Sequence, residues 1–92
     1  MNTDPAKTYM ENILRKARDK TYHVLAEIYD QYDYDNDRWH AVKENKEIIK
    51  KNLNISTSTL DKHLKSLKDR QILISLTKPT YRIENIPIYD IN

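Results

Sequence analysis

Cysteine and glycine are both absent from the 92 residues of the chain. Without cysteine there is no disulfide, no thiolate nucleophile and no thiolate metal site, and this composition favours a cytoplasmic protein. Without glycine the chain cannot form a P-loop or a glycine-rich dinucleotide-binding turn, because both need glycine at fixed positions. The two absences therefore exclude the glycine-dependent phosphate-binding loops.

Long apolar runs are lacking as well. No segment approaches the roughly 18 consecutive apolar residues of a membrane span, and residues 1–5 lack the basic-then-apolar pattern of a signal peptide. Apolar residues make up 38% of the chain and charged residues 33%, which is ordinary for a globular protein. We therefore expect a single soluble domain over residues 1–92, without a membrane partner.

Charge is unevenly distributed, although the formal net charge is only +2. Residues 30–37 contain four aspartates and no cation. Residues 43–70 contain eight lysines and arginines against four acids, an excess of four positive charges. A nearly neutral protein with one basic segment is typical of a DNA-binding domain.

Two amphipathic helices are predicted in the first third of the chain. Asp4 and Pro5 are typical of an N-cap and a first helical position. Apolar residues then recur at helical spacing and predict helices over about 5–18 and 21–32, with one continuous helix as the alternative. The acidic stretch 33–38 has the composition of a loop.

The middle of the chain predicts two further helices joined by a tight turn. Asn45 can cap a helix over about 46–53, and Ser56 can cap a second helix over about 57–70. Asn54 lies where the first of these helices must stop, and asparagine tolerates the left-handed conformation that often ends a helix. The positions expected to be buried are Ile48, Ile49, Leu53, Leu60, Leu64 and Leu67.

Three segments have the composition of β-strands. Residues 39–42 form a short strand candidate, and residues 72–77 and 81–84 are rich in β-branched and aromatic side chains. Residues 78–80 predict a turn between the last two strands, because proline fixes φ and removes a donor there. The tail 85–92 is apolar enough to pack, at a position that the sequence leaves open.

Residues 49–67 read IKKNLNISTSTLDKHLKSL and resemble the helix-turn-helix of winged-helix bacterial regulators. The likeness consists of a helix, a tight turn, an Ile-Ser cap, Thr-Leu, then His-Leu and a further leucine three residues later. The hairpin at 72–84 is similar to the wing of that family. The resemblance covers about residues 39–84, and plasmid and phage replication initiators look similar too.

The chain departs from the family pattern at three positions. Lys50 stands where the family usually packs a small residue, and Asn54 replaces the usual glycine of the turn. Gln71 stands where glycine often ends the recognition helix. The two replacements of glycine are compatible with the fold, whereas Lys50 bears directly on how the two helices pair.

The resemblance implies an α+β fold, a winged helix-turn-helix with an additional N-terminal helix. It divides the chain into the N-terminal helix 5–18, the helix-turn-helix 45–70, the wing 72–84 and the tail 85–92. It also implies that the recognition helix, residues 57–69, lies in the major groove of double-stranded DNA while the wing touches the backbone or the minor groove. We therefore expect a DNA-binding protein with no cofactor.

The side chains expected to contact DNA lie opposite the leucines of the recognition helix. At about 100° per residue, Leu60, Leu64 and Leu67 face the core, and the opposite face carries hydroxyls and lysines. Small hydroxyls allow close approach to base edges, and lysines reach phosphates or guanine. The candidate DNA-binding residues are Ser56, Thr57, Ser58, Thr59, Lys62, Lys65 and Ser66, with Lys78 and Arg82 of the wing.

Three functions are compatible with these residues. The leading one is a transcriptional regulator that binds DNA sequence-specifically. The second is a plasmid or phage replication or partition protein, which would also bind double-stranded DNA. The third is a winged helix used only for protein–protein contact, in which the polar face of residues 57–69 is simply solvated.

An apolar stripe on the predicted N-terminal helix points to a homodimer. Its residues are Tyr9, Met10, Ile13, Leu14 and Ala17. A two-fold contact through this stripe would place two recognition helices roughly 34 Å apart, one turn of DNA, and predicts a pseudo-palindromic site. The alternative is that the helix folds back on its own domain.

The acidic loop resembles part of a calcium-binding loop. Asp33, Asp35, Asp37 and Glu44 match the first, third, fifth and twelfth positions of an EF-hand. The sixth position, which needs glycine for the sharp turn, is Arg38. We therefore expect a solvated acidic loop and no metal site.

The three histidines, His23, His40 and His63, fall in separate predicted elements. A metal site needs two or more ligands at set spacing, so none is expected from them. We expect His63 to lie at the surface of the recognition helix, where it could contact a phosphate. No catalytic arrangement of nucleophile and base stands out among these residues, and we expect no enzymatic activity.

Overall fold

Residues 5–84 are described by the computed structural model, with side chains described from residue 11 onward. The helices in this part of the chain are α1 (Pro5–Lys16), α2 (Lys20–Gln31), α3 (Lys43–Leu53) and α4 (Thr57–Asp69). The strands are β1 (Trp39–His40), β2 (Leu73–Ser75) and β3 (Thr80–Ile83). The predictions for the Asp4 cap and for the tail 85–92 lie outside the described residues.

The first two helices are separate, so the alternative of one continuous helix is wrong. Asp19 lies between them in an extended conformation and caps α2, its carboxylate accepting a hydrogen bond from the Thr21 amide at 2.9 Å. Side-chain capping of this kind starts a new helix because it satisfies amides that have no partner in the first turn. The chain can therefore turn at Asp19, and α1 packs against α2.

The interface of α1 and α2 holds a small ionic network. The Arg15 guanidinium pairs with Glu27 at 2.6 Å and with Asp30 at 2.5 Å. Glu27 is 5% exposed and also accepts a hydrogen bond from Asn52 of α3 at 2.9 Å. A buried carboxylate needs partners of this kind, so the network ties α1, α2 and α3 together.

Helix α3 begins earlier than its sequence predicts. Its N-cap is Val42, which makes no side-chain capping bond, so the assignment of Asn45 as the cap is wrong. Asn45 instead lies in the first turn, where its side-chain amide donates to the His40 carbonyl at 2.7 Å. Its own carbonyl accepts a hydrogen bond from the Gln31 side chain at 2.9 Å, and these contacts hold the start of α3 against α2 and β1.

The turn between α3 and α4 follows the prediction closely. Asn54 adopts the left-handed conformation, with φ 55° and ψ 53°, and the Ile55 amide donates to the Lys50 carbonyl at 3.0 Å. Ser56 then caps α4, its hydroxyl accepting from the Thr59 amide at 3.2 Å. This hydrogen-bond pattern is the Schellman motif, with asparagine in the position that glycine usually takes.

The core is built mainly on α2 and α4. The largest fully buried side chains include Trp39, Tyr22, Leu25, Ile28, Leu60, Leu67 and Ile72. Ile49 of α3 is fully buried, but Ile48 is 50% exposed, so the expectation that both are buried is wrong for Ile48. The reason is geometric, since neighbouring helical residues point about 100° apart and only one of them can face α2.

The sheet is antiparallel, with the strand order β1-β3-β2. Tyr81 of β3 lies opposite Trp39 on one side and Ser75 on the other. β1 is shorter than the strand predicted over 39–42, because the Ala41 amide bonds to the Pro79 carbonyl and α3 starts immediately afterwards. The hairpin prediction is confirmed, with Lys78 and Pro79 joined by a cis peptide bond in the connection.

This α+β arrangement of four helices and a three-stranded antiparallel sheet, within residues 5–84, is compatible with a winged helix and not specific to it. The sequential helices α3 and α4 are followed directly by the hairpin β2–β3. None of the helices in the described residues is both long and apolar enough to cross a membrane.

Candidate nucleic-acid interface

Helix α4 presents one buried face and one exposed face. Leu60 and Leu67 are fully buried and Leu64 is 6% exposed, as the leucine spacing predicts. Lys62 and Lys65 are exposed on the opposite side. The helix period thus brings four predicted DNA-binding residues and Asp69 together on the side away from the leucines, which we call the α4 face: Ser58, Lys62, Lys65, Ser66 and Asp69. Ser66 is half-buried at the edge of this face, and the other four residues are exposed.

The two lysines of the α4 face differ in their partners. Lys65 pairs with Asp69 one turn later, at 2.9 Å, and both side chains are largely exposed. Lys62 forms no ion pair with any residue of the described part of the chain. An exposed pair of this kind stabilises a helix by only about 0.3–0.5 kcal/mol, so Lys65 can exchange Asp69 for another anion at little cost.

Hydroxyl groups at the start of α4 are already engaged with one another. The Ser56 hydroxyl caps the helix and also donates to the Thr59 hydroxyl at 3.0 Å. Thr57 is exposed, and its hydroxyl accepts a hydrogen bond from the Lys50 ammonium at 2.7 Å. Ser56 therefore has a structural role, while Thr57 keeps its own hydroxyl proton free to donate outward.

Lys50, one of the residues that depart from the family pattern, is half-buried where α3 meets α4 and bridges the two helices. Its ammonium contacts Glu47 at 2.8 Å and Thr57 at 2.7 Å, at the rim of a groove of about 280 Å³ between α3 and α4. Lys43 and Lys46 line the same groove. The sequence reasoning missed these two lysines as site residues, although the helical spacing of positions 43, 46 and 50 places all three on one face of α3.

The groove is not uniformly cationic. Glu47 and Asp61 line it together with the three lysines. The pKa of Glu47 is held below its usual range by hydrogen bonding to Lys50 and by the charges of Lys50 and Lys43. Glu47 is therefore ionised near neutral pH, and the groove carries a net charge of one positive unit from three lysines and two acids.

The two predicted wing residues occupy different surroundings. Lys78 is exposed in the hairpin connection. Arg82 is half-buried on β3, where it pairs with Glu84 at 3.0 Å, and its Nε is buried with no hydrogen-bond partner among the described residues. Because strand residues alternate between faces, Arg82 lies on the face of β3 opposite to that of Tyr81.

Tyr81 connects the sheet to α4 through a lysine that the sequence reasoning also missed. The Lys68 ammonium lies 5.1 Å from the centre of the Tyr81 ring. This cation–π contact shows that the Tyr81 side of β3 faces α4. The structure therefore brings Lys68 and Tyr81 beside the α4 face and does not bring Arg82 there.

His63 lies on the flank of α4 and is not a free surface residue. Its Nδ1 lies 2.9 Å from the Thr21 hydroxyl of α2. Burial lowers the pKa of His63; the nearby Asp19 carboxylate opposes this, while Lys62, Arg70 and His23 add to it. His63 is therefore half-buried between α2 and α4 and not on the open surface of α4 as expected, and its contact with a phosphate stays a prediction.

The acidic loop is held by its own hydrogen bonds. The Asp33 carboxylate accepts the backbone amides of Asp35 and Asn36 at 3.1 and 3.2 Å, and bonding to Asn36 lowers its pKa. The Tyr32 hydroxyl donates to Asp37 at 2.7 Å. Within residues 5–84 no group of three or more potential metal ligands is assembled, here or elsewhere.

The stripe of the N-terminal helix is partly used inside the chain. Leu14 is fully buried and Ala17 is 6% exposed, both packed in the core with α2, and Ile13 is half-buried against them. The side chains of Tyr9 and Met10 lie outside the described residues. At Leu14 and Ala17 the helix therefore folds back on its own domain, which was the alternative to a contact between two copies.

Comparison of the chain with protein families, with curated proteins and with solved structures finds no match.

Proposed function

We propose that the protein is a winged-helix transcriptional regulator that binds double-stranded DNA sequence-specifically, with α4 in the major groove. The observation that carries this proposal is the α4 face, a solvent-exposed surface of hydroxyls and lysines on a helix whose other side is fixed in the core. A helix held in this way can enter a groove as a rigid element.

The dimensions of α4 suit the major groove. Its 13 residues extend about 20 Å at 1.5 Å per residue, and the groove is about 12 Å wide. Ser58 near the start of the helix is small enough to approach base edges. Lys62 and Lys65 lie further along the same face and can reach phosphates or guanine.

The lysines of α3 extend the proposed contact beyond α4. Lys43 and Lys46 line the groove beside the α4 face, and Lys68 lies two turns further along the same side of α4 as Asp61, near the sheet. Lysine contacts to phosphates position a protein on the duplex without reading its sequence. In this proposal α3, Lys68 and the lysines of the α4 face hold the duplex backbone, and the small hydroxyls of that face approach the bases.

Selection of a binding site from random duplexes tests the proposal, followed by affinity measurements on variants. We expect the double variant Lys62→Ala/Lys65→Ala to bind the selected duplex at least tenfold more weakly, because each phosphate or base contact contributes on the order of 1 kcal/mol. Both side chains are exposed, so the melting temperature should change little.

Lys16→Ala is the matched control, since Lys16 is an exposed lysine at the end of α1, outside α3, α4 and the sheet. We expect this variant to bind like the wild type. Equal affinity of the double variant and the wild type would reject the assignment of α4 as the recognition helix. Failure to bind any duplex at low salt would favour a role in protein–protein contact.

A further inference from the structure

A second concave surface lies on the flank of α4, away from the α4 face. It is a cavity of about 240 Å³ between α2, the turn after α3 and α4. Its apolar wall is formed by Val24, Leu53 and Ile55. The polar groups at its edge include Lys20, His23 and His63.

The polar side chains that line this cavity are either positively charged or neutral. Lys20 is exposed, and no carboxylate lines the cavity. The carboxylate whose charge acts on His63 is that of Asp19, which is already paired with Arg70 at 2.8 Å. The ammonium group of Lys20 can therefore bind an anion in the cavity, because no carboxylate of the lining competes for it.

Each histidine of the cavity has one ring nitrogen committed and one left over. His23 donates from Nε2 to the Ala17 carbonyl at 2.7 Å, because a carbonyl can only accept. His63 uses Nδ1 with the Thr21 hydroxyl, and when that hydroxyl donates, Nε2 carries the proton. His63 can then donate a hydrogen bond to a ligand oxygen.

The size of the cavity limits the ligand. An apolar cavity of about 150 Å³ accommodates benzene. A volume of about 240 Å³ therefore has room for one such ring and a small polar group. Ligand sites in general combine an apolar lining with a few placed polar groups, as here.

We propose that the cavity between α2 and α4 binds a small apolar monocarboxylate, with its hydrocarbon part against Val24, Leu53 and Ile55 and its carboxylate at Lys20 and His63. Such a ligand would touch α2, the turn and α4 together. Of the lining residues only Thr59 is also a candidate DNA-binding residue, and none belongs to the α4 face, so ligand binding can be measured without DNA.

Titration of ¹⁵N-labelled protein with sodium benzoate, without DNA, tests this proposal. We expect saturable chemical-shift changes centred on the cavity residues, with a dissociation constant on the order of millimolar for so small a ligand. Benzamide, which has the same shape without the charge, should bind about fivefold more weakly, the upper end of the range of an exposed ion pair. Equal binding of benzoate and benzamide would contradict the carboxylate assignment.

Two variants and a control locate the site. Lys20→Gln should weaken benzoate binding by the same factor that separates benzoate from benzamide. Ile55→Trp should abolish benzoate binding, because the larger side chain fills the cavity. Lys16→Gln removes an exposed lysine outside the cavity and should bind like the wild type. The amide spectrum of each variant checks that the fold is intact.

Two results would overturn the proposal. One is the absence of saturation at tens of millimolar benzoate, and the other is a set of shift changes that maps away from α2 and α4. Retention of benzoate binding in folded Ile55→Trp protein would also reject the site. None of these results depends on whether the protein binds DNA.

Discussion

Individual residues of this chain take up the conformations that glycine usually provides. Asp37, Asn54 and Gln71 all have positive φ, at 53°, 55° and 60°. For residues other than glycine the left-handed conformation costs roughly 1–2 kcal/mol, with asparagine and aspartate the most tolerant. Gln71 is therefore the residue where the cost is greatest.

Gln71→Gly should stabilise the protein. Gln71 follows the end of α4 in a Schellman motif, with its amide bonded to the Lys68 carbonyl and the Ile72 amide bonded to the Leu67 carbonyl. We expect the free energy of unfolding to rise by about 1 kcal/mol. This is the strain that glycine relieves in the folded state, minus the stability lost because glycine gives the unfolded chain more conformational entropy. For a domain of this size that corresponds to a rise in melting temperature of roughly 4–8 °C.

Ser75→Gly is the control for this substitution. Ser75 is also exposed, but it lies in the regular strand β2. Glycine there should lower the stability by about 0.5–1 kcal/mol. A melting temperature that falls for both variants would show that Gln71 is not strained in the native state.

Among the elements, α4 carries hydroxyls with a structural role next to hydroxyls for which DNA binding is proposed. Ser56 and Ser58 are both exposed serines two positions apart. The Ser56 hydroxyl caps the helix through the Thr59 amide, whereas the Ser58 hydroxyl makes only a 3.2 Å contact with Ser56. The two serines therefore form a matched pair for mutation.

Ser56→Ala should lower the free energy of unfolding by about 1 kcal/mol, the usual cost of losing an N-cap. Ser58→Ala should change the stability by less than about 0.5 kcal/mol and should weaken binding to the selected duplex. Urea unfolding and duplex affinity, measured on both variants, check this division. The reverse pattern, with Ser58 stabilising the fold, would contradict the capping assignment.

Local signals explain which elements could be predicted from the sequence. α4 and the turn before it were predictable because the Ser56 cap, the left-handed Asn54 and the leucine spacing are all short-range features. The start of α3 was not, because Val42 has no capping side chain and Asn45 is held by the distant His40 carbonyl. Helix boundaries that depend on tertiary contacts leave no mark in the local pattern.

The candidate site, like the fold, could be predicted from the sequence only where it depends on local spacing. The helix period alone predicts the α4 face, since it needs only the leucine positions. The positions of Lys68 and Arg82 depend on how β3 packs against α4, and the placement of His63 depends on Thr21, 42 residues away. Such long-range packing could not be predicted from residue spacing.

At the scale of the whole molecule, the homodimer stays a prediction. The fold limits which residues of α1 could form its interface. Leu14 and Ala17 are covered by α2, so a two-fold contact through α1 would have to use the rest of the stripe, of which Ile13 is only half-buried in the described structure. Because α1 contributes side chains to the core, a point variant tests the dimer better than a deletion of the helix would. Sedimentation equilibrium of the wild type and of Ile13→Asp, with a thermal melt of each, provides it.

Homodimerisation through α1 predicts a mass of twice 11.0 kDa at micromolar concentration. It also predicts that Ile13→Asp sediments as a folded monomer and that the selected DNA site is pseudo-palindromic. A wild-type protein of 11.0 kDa that binds DNA with full affinity would contradict the dimer and leave the role of α4 intact.

The central claim, that the lysines of the α4 face bind the DNA backbone, is tested most directly by the salt dependence of duplex binding. The logarithm of the binding constant should fall linearly with the logarithm of salt concentration between about 50 and 200 mM, with a slope of about 0.9 for each phosphate neutralised. If Lys62 and Lys65 each neutralise one phosphate, the double variant Lys62→Ala/Lys65→Ala should have a slope smaller than that of the wild type by about 1.8. The control variant Lys16→Ala should have the same slope as the wild type. A slope that is the same in the double variant and the wild type would contradict the account.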